Sequence, residues 1–114
     1  MTPLTAAMLA QIAATPGCAA SAPPWIAPEQ WAGQLLAIVQ VESHGDPYAV
    51  RDDTADASYY PATLADAERI ATNLIAQGHR IGVGLMQLSP PSRFGLSVRE
   101  ALDPCRNMRA GSEL

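Results

Sequence analysis

Lysine is absent, all seven cations are arginine, and none precedes Arg51. With a net charge of -4 the chain has no dense cationic surface, which excludes nucleic acid or another polyphosphate as its partner. No apolar run approaches the roughly 18 residues that a membrane-spanning helix needs, so no span is expected. Aromatic residues supply only 5% of the chain, and β-branched stretches are few, which favours helices over an all-β core. The two histidines, His44 and His79, stand without a spaced set of cysteines or carboxylates, a poor basis for a metal site. Nor is there a nucleophile elbow or a phosphate-binding glycine loop; no cofactor is expected. There are two cysteines, Cys18 and Cys105. A bridge would close most of the chain into one loop and add roughly 4–5 kcal/mol by the chain-entropy estimate. Two free thiols are as compatible with the sequence as a bridge is.

What is present fits one globular domain: 114 residues, 48% apolar and 16% charged, with alanine about a fifth of the total. Residues 1–24 read as an N-terminal helix and a Pro/Ala/Ser linker, and residues 25–114 as the core. Met1 to Ala14 lacks the cationic start of a signal peptide and includes Gln11, so an ordered helix over Thr5 to Ala14 is expected, stopped by Pro16-Gly17. Pro28 suits a first helical turn, and Trp31, Leu35, Ile38 and Val39 mark one buried face of a helix reaching about Ser43. His44-Gly45-Asp46-Pro47 ends it, and the polar stretch to Tyr60 reads as an exposed loop or small hairpin. Thr63 and Asp66 resemble a capping box before a stripe of Leu64, Ala67, Ile70, Ala71 and Leu74, which Gly78 terminates. Ile81 to Leu88 is apolar but too short and glycine-rich for a good helix. Ser97 with Glu100 forms another cap, and Asp103-Pro104 opens a last helix through the chain end.

Glu42 is the most informative residue. Continuing the spacing of Leu35, Ile38 and Val39 brings a carboxyl onto the buried face just where the helix ends. Desolvation there would raise its pKa, the condition a carboxylic acid needs to donate a proton near neutral pH. The alternative is that the helix end lets Glu42 turn to solvent.

Three blocks now stand in order: Ile38-Val39-Gln40-Val41-Glu42-Ser43, Gly84-Leu85-Met86-Gln87-Leu88, and Leu102-Asp103-Pro104-Cys105 through Gly111. Together they resemble the lytic transglycosylases of lysozyme-like fold, most of all the specialised enzymes of type IV secretion and conjugation machines, to which Cys18-Ala19 and Asp103-Pro104-Cys105 are also similar. The resemblance implies a mainly α fold with a small irregular β region. It implies Glu42 as the catalytic acid/base, with Gln87 and Ser89 lining a glycan groove, and a Cys18–Cys105 clamp formed in an oxidising periplasm. Asn107 reads as a surface or packing polar group. Two departures stand out. Residues Gly78 to Val83 lack the Ser or Thr that many relatives place before the Gly-Leu-Met-Gln block, and the helices with a Tyr-Asn block that normally follow are missing, so a C-terminally truncated domain is expected.

The implied substrate is the β-1,4-linked N-acetylmuramic acid/N-acetylglucosamine strand of peptidoglycan, and the implied partners include components of the secretion apparatus. Protonated Glu42 would donate to the glycosidic oxygen; as a carboxylate it would then take the proton of the muramic acid C6 hydroxyl, closing a 1,6-anhydro ring. A hydrolytic muramidase needs a second carboxylate some 5–10 Å away, for which Asp46, Asp52 and Asp53 are available. A third possibility is a glycan-gripping assembly module that does not cleave.

Overall fold

A computed structural model describes residues 2–113; Met1 and Leu114, the ends of the expected first and last segments, lie outside them. Among the described residues there are five helices and a three-stranded antiparallel sheet, on which α3 packs. Helix α1 spans Ala6–Ala14, with the Thr5 hydroxyl accepting from the Met8 amide at 3.1 Å. Helix α2 spans Pro28–Ser43, with Pro28 in its first turn, and ends where His44 adopts a left-handed conformation. Strands β1 (Val50–Asp52) and β2 (Ala57–Tyr59) form a hairpin, helix α3 runs Leu64–Ala76, and β3 (Ile81–Val83) pairs with the other edge of β1. The register sets Val50 opposite Tyr59 and Val83, and Asp52 opposite Ala57 and Ile81. A 3-10 turn at Pro91–Phe94 leads to the short α4 (Val98–Ala101) and to α5 (Pro104–Ser112).

Two apolar clusters carry the fold. One packs Val50, Ile81 and Val83 of the sheet with Leu88 against Ala67, Ala71 and Leu74 of α3 and Ala101 and Leu102. The alanines are completely buried, so α3 lies close on the sheet through small side chains. The other joins Leu9 of α1, Val39 of α2, Leu85 and Met108 of α5. The Gly84–Leu88 turn serves both, because Leu85 enters one cluster and Leu88 the other. Each such fully buried side chain contributes about 1.5–3 kcal/mol relative to exposure. Helix α1 therefore stands in the same core as α2 and α5, and the linker after it is fastened by the Trp31 indole N–H to the Ala20 carbonyl at 2.9 Å and by the Ala20 amide to the Ser112 hydroxyl at 2.7 Å. Cys18 and Cys105 form a disulfide.

Three expectations need correction. The buried stripe of α2 runs Leu35, Val39, Ser43 in steps of four, while Ile38 is 43% exposed and Glu42 is exposed. Ser43 can take the buried position because its hydroxyl donates to the Val39 carbonyl at 3.0 Å, so no polar group is stranded. A carboxyl there would have been. The polar stretch after α2 is a hairpin as one reading had it, yet it is not exposed throughout: Asp46 and Asp52 are 2% and 1% accessible. The cap at α3 is one-sided as well. Thr63 accepts from the Asp66 amide, but the Asp66 carboxylate pairs with Arg69 at 3.4 Å, whereas Ser97 and Glu100 at α4 form the full reciprocal box.

Candidate functional site

The end of α2 and the β1–β2 hairpin enclose a polar cleft of about 330 Å³. From α2 and its cap come Val41, Glu42 and His44; from the hairpin, Arg51, Asp53, Ser58 and Tyr60; from the turn after β3, Gln87. The sheet's alternation explains the second group, since Val50 and Asp52 point inward and are buried while Arg51 and Asp53 face outward. Arg51 is held on that wall by Ser58 at 3.0 Å, by Asp53 at 3.7 Å and by an ion pair with Asp56. His44 and Tyr60 face each other across the rim, ring centroids 6.5 Å apart.

Gln87 lines the same cleft at a φ of 52°, the sparsely populated left-handed region for a residue with a side chain. Its Nε2 donates to the Ala49 carbonyl at 3.1 Å and the Gly84 carbonyl at 2.9 Å, so both amide hydrogens are committed to the backbone. Its Oε1 is buried without a hydrogen-bond partner among the described residues. That oxygen lies against Gly82, where an added Cβ would come within 3.0 Å of it. The turn is fixed from below by Asn107, fully buried, whose Nδ2 donates to the Val83 and Ala101 carbonyls at 2.9 and 2.7 Å and whose Oδ1 accepts from the Met86 amide at 2.7 Å. Gly84 is demanded twice over: φ is +79°, and a Cβ would approach Asn107 Nδ2 to 2.3 Å.

Glu42 and Gln87 thus share one cleft, and Ser89, half-buried, is not among the residues lining it. Cys18 and Cys105 are bonded to each other, away from the cleft. His44 is on the cleft rim whereas His79 hydrogen-bonds Asp52, and no group of three or more potential metal ligands occurs among the described residues. Of the three aspartates weighed as a second carboxylate, only Asp53 lines the cleft. Asp46 accepts from the Tyr48 amide at 2.8 Å, and Asp52 takes the Thr54 and Ala55 amides and His79. Burial pushes the Asp52 carboxyl up, but the hydrogen bond and charge of His79 and the two amide donors outweigh it and hold the pKa below its ordinary 3.8. Arg51, Ser58 and Tyr60 were not singled out from the sequence. The alternation Val50-Arg51-Asp52-Asp53 carried the signal for Arg51, yet a three-residue strand is too short for alternation to stand out from a polar loop.

Chemically, the cleft offers two carboxylates. Asp53 is matched by Arg51, and no cation pairs with Glu42 among the described residues, which leaves Glu42 free to exchange a proton with a bound molecule.

The family described as Transglycosylase SLT domain matches residues 27–114. Among curated proteins, Type IV secretion system protein virB1 of Brucella abortus (strain 2308) is 33% identical over 93 residues, 80% of this chain and 37% of the relative. Protein virB1 of Agrobacterium fabrum (strain C58 / ATCC 33970) is 34% identical over 90 residues, 77% of this chain and 37% of its own length. The chain thus spans little more than a third of these relatives. No solved structure gives a significant match. The match over the greater part of the sequence, on helices and a small antiparallel sheet with Glu42 and Gln87 on one cleft, means that the chain belongs to the Transglycosylase SLT domain family, with its lysozyme-like fold.

Proposed function

We propose that the chain is a lytic transglycosylase domain that cleaves the β-1,4 bond between N-acetylmuramic acid and N-acetylglucosamine in peptidoglycan. The observation that carries this is the placement of Glu42, which has no ion-pair partner among the described residues, on the same polar cleft as Gln87. Family membership and the likeness to the virB1 proteins support it. In the reaction Glu42 gives its proton to the glycosidic oxygen as the bond to the muramic acid anomeric carbon breaks. The resulting carboxylate takes the proton of that sugar's C6 hydroxyl, whose oxygen bonds to the anomeric carbon. Glu42 ends protonated again, and one residue suffices for both steps. Glu42 is exposed, so a glycan lying in the cleft can reach its carboxyl directly. The setting in this reading is the periplasm, where local opening of the wall serves a secretion apparatus; the likeness to a Type IV secretion system protein, virB1 of Brucella abortus, supports the link to secretion.

Asp53 gives a second reading its footing, since a carboxylate on the same cleft could direct water and make the enzyme a hydrolase. Digestion of purified sacculi separates the two: anhydro-muramic ends are expected, and reducing ends would establish hydrolysis. In the same assay Glu42→Gln should lower muropeptide release by at least about 10²-fold, the usual scale of lost general acid catalysis, with the far-ultraviolet circular dichroism unchanged. Residual release within about tenfold of the parent would remove Glu42 from the mechanism.

A further inference from the structure

The cleft wall is one small hairpin, and its anchorage lies behind it. Asp52, at the end of β1, is 1% accessible. Its Oδ1 accepts from the Thr54 and Ala55 amides, both at 3.1 Å, closing the turn between the strands, and its Oδ2 lies 2.7 Å from His79 Nδ1. His79 belongs to the connection between α3 and β3, whose backbone adds two more ties: the Arg80 amide donates to the Thr54 hydroxyl at 2.8 Å, and the Asp53 amide donates to the Arg80 carbonyl at 2.9 Å. Of the side chains that reach the cleft from this hairpin, Arg51 and Asp53 alternate with Asp52, and Ser58 pairs across the sheet from Arg51. A shift of the Asp52 carboxylate therefore moves the wall.

We propose that His79 is a positioning residue for the cleft, clamping the Arg51–Asp53–Ser58 wall through Asp52 against the α3–β3 connection. An ionised Asp52 can only accept, so Nδ1 must carry the hydrogen, and it does so in both the neutral and the charged ring. The clamp thus holds across the protonation states of His79 and acts as a fixed brace. His79 does not line the cleft and its ring lies instead along the groove formed with Ile75, Ile81 and Pro90, so its effect on catalysis has to pass through the wall. Glu42 sits on α2, outside the clamp. Loss of His79 should consequently weaken substrate binding while leaving proton transfer intact, which is a change in KM and not in kcat.

The proposal rests on the transglycosylase reading for its kinetic arm and is independent of it for the other. The full chain and its His79→Ala and His79→Asn forms are compared. Asn is chosen because its Nδ2 stands two bonds from Cβ, as Nδ1 of histidine does, and can donate to Asp52 in the same place. In His79→Ala, KM for a soluble glycan fragment should rise about tenfold with kcat within about twofold, since contacts that hold substrate equally in the ground and transition states are read in KM alone. Amide exchange at Thr54 and Ala55 should quicken by about tenfold relative to the α2 core amides, as expected of a locally loosened turn. His79→Asn should restore both. Unchanged exchange at Thr54 and Ala55, a fall in kcat at constant KM, or an Asn variant no better than Ala would each overturn the clamp. If the parent chain shows no cleavage of glycan, the transglycosylase reading fails on its own and the exchange measurement alone decides the clamp.

Discussion

Glu42 and Ser43 are neighbours at the end of α2, and their opposite fates come from one difference in hydrogen bonding. Ser43 can bury its hydroxyl by returning it to the Val39 carbonyl, so the four-residue stripe Leu35, Val39, Ser43 goes inward and Glu42 is turned to the cleft. Asn107 shows the reverse case, a polar side chain buried because all its groups are satisfied. It holds the Val83 and Ala101 carbonyls and the Met86 amide at once. Asn107→Ala would leave the Ala101 carbonyl and the Met86 amide unpaired, while the Val83 carbonyl keeps the Leu88 amide at 3.0 Å. The expected loss is about 3 kcal/mol, since each stranded group costs on the order of 1–3 kcal/mol before local relaxation. Urea unfolding should show it as a lower midpoint at constant slope; a loss below about 1 kcal/mol would mean that water replaces the amide there. Gln87 rides on the same turn, so glycan cleavage should fall together with stability.

At the scale of elements, the hairpin and its clamp set how the domain responds to acid. The folded Asp52 pKa is depressed below 3.8, so its stabilising share is fully present above that value and is lost as pH falls toward the folded pKa. Glu100, lowered by the Ser97 amide and hydroxyl and by Arg106, adds a slope of the same sign. Unfolding midpoints measured from neutral pH downward should therefore begin to decline below about pH 4.5, the ordinary Glu100 value, and fall more steeply below about pH 3.8, and Asp52→Asn should be less stable at neutral pH with a flatter acid limb, Glu100 leaving a residual slope. An unaltered limb would show that Asp52 keeps an ordinary pKa. The long elements were legible in the sequence: the α3 stripe, the Pro28 start of α2 and the Ser97-Glu100 box are local signals, and local signals survive folding. The cleft was legible only in part. Gln87 and the catalytic role of Glu42 came from a family resemblance, Glu42 itself having stood out from a periodicity that set it on the buried face, while burial of Asp46 and Asp52 and the choice of Ser43 over Glu42 depend on partners 2 to 27 residues away, which no periodicity records. Arg51 was hidden for the same reason, because a three-residue strand announces itself only once β2 and β3 lie beside it.

The whole molecule is two apolar clusters meeting at the Gly84–Leu88 turn, with the cleft between α2 and the hairpin, so any motion between the clusters alters the cleft. The Cys18–Cys105 bond braces one of the two clusters, since it joins the segment after α1 to the first turn of α5 across a sequence separation of 87 residues, and Leu9 of α1 and Met108 of α5 lie in the same cluster. A loop of that size restricts the unfolded chain by about 4–5 kcal/mol on the entropy estimate. This is a large share of what a domain of this length has in total. The chain should accordingly be marginal once reduced. Urea unfolding with and without a thiol reductant is expected to differ by several kcal/mol, and Cys105→Ser should behave like the reduced parent. A difference below about 1 kcal/mol would mean that the reduced chain keeps its ends together in the denatured state. Cleavage of sacculi adds a check that stability alone does not give. Leu9 and Met108 share a cluster with Val39, one helical turn before Glu42, so loosening the bond's two ends should lower the rate at temperatures where the reduced protein is still folded by circular dichroism. Equal rates there would confine the disulfide to holding the chain together and leave the cleft to the turn and the hairpin.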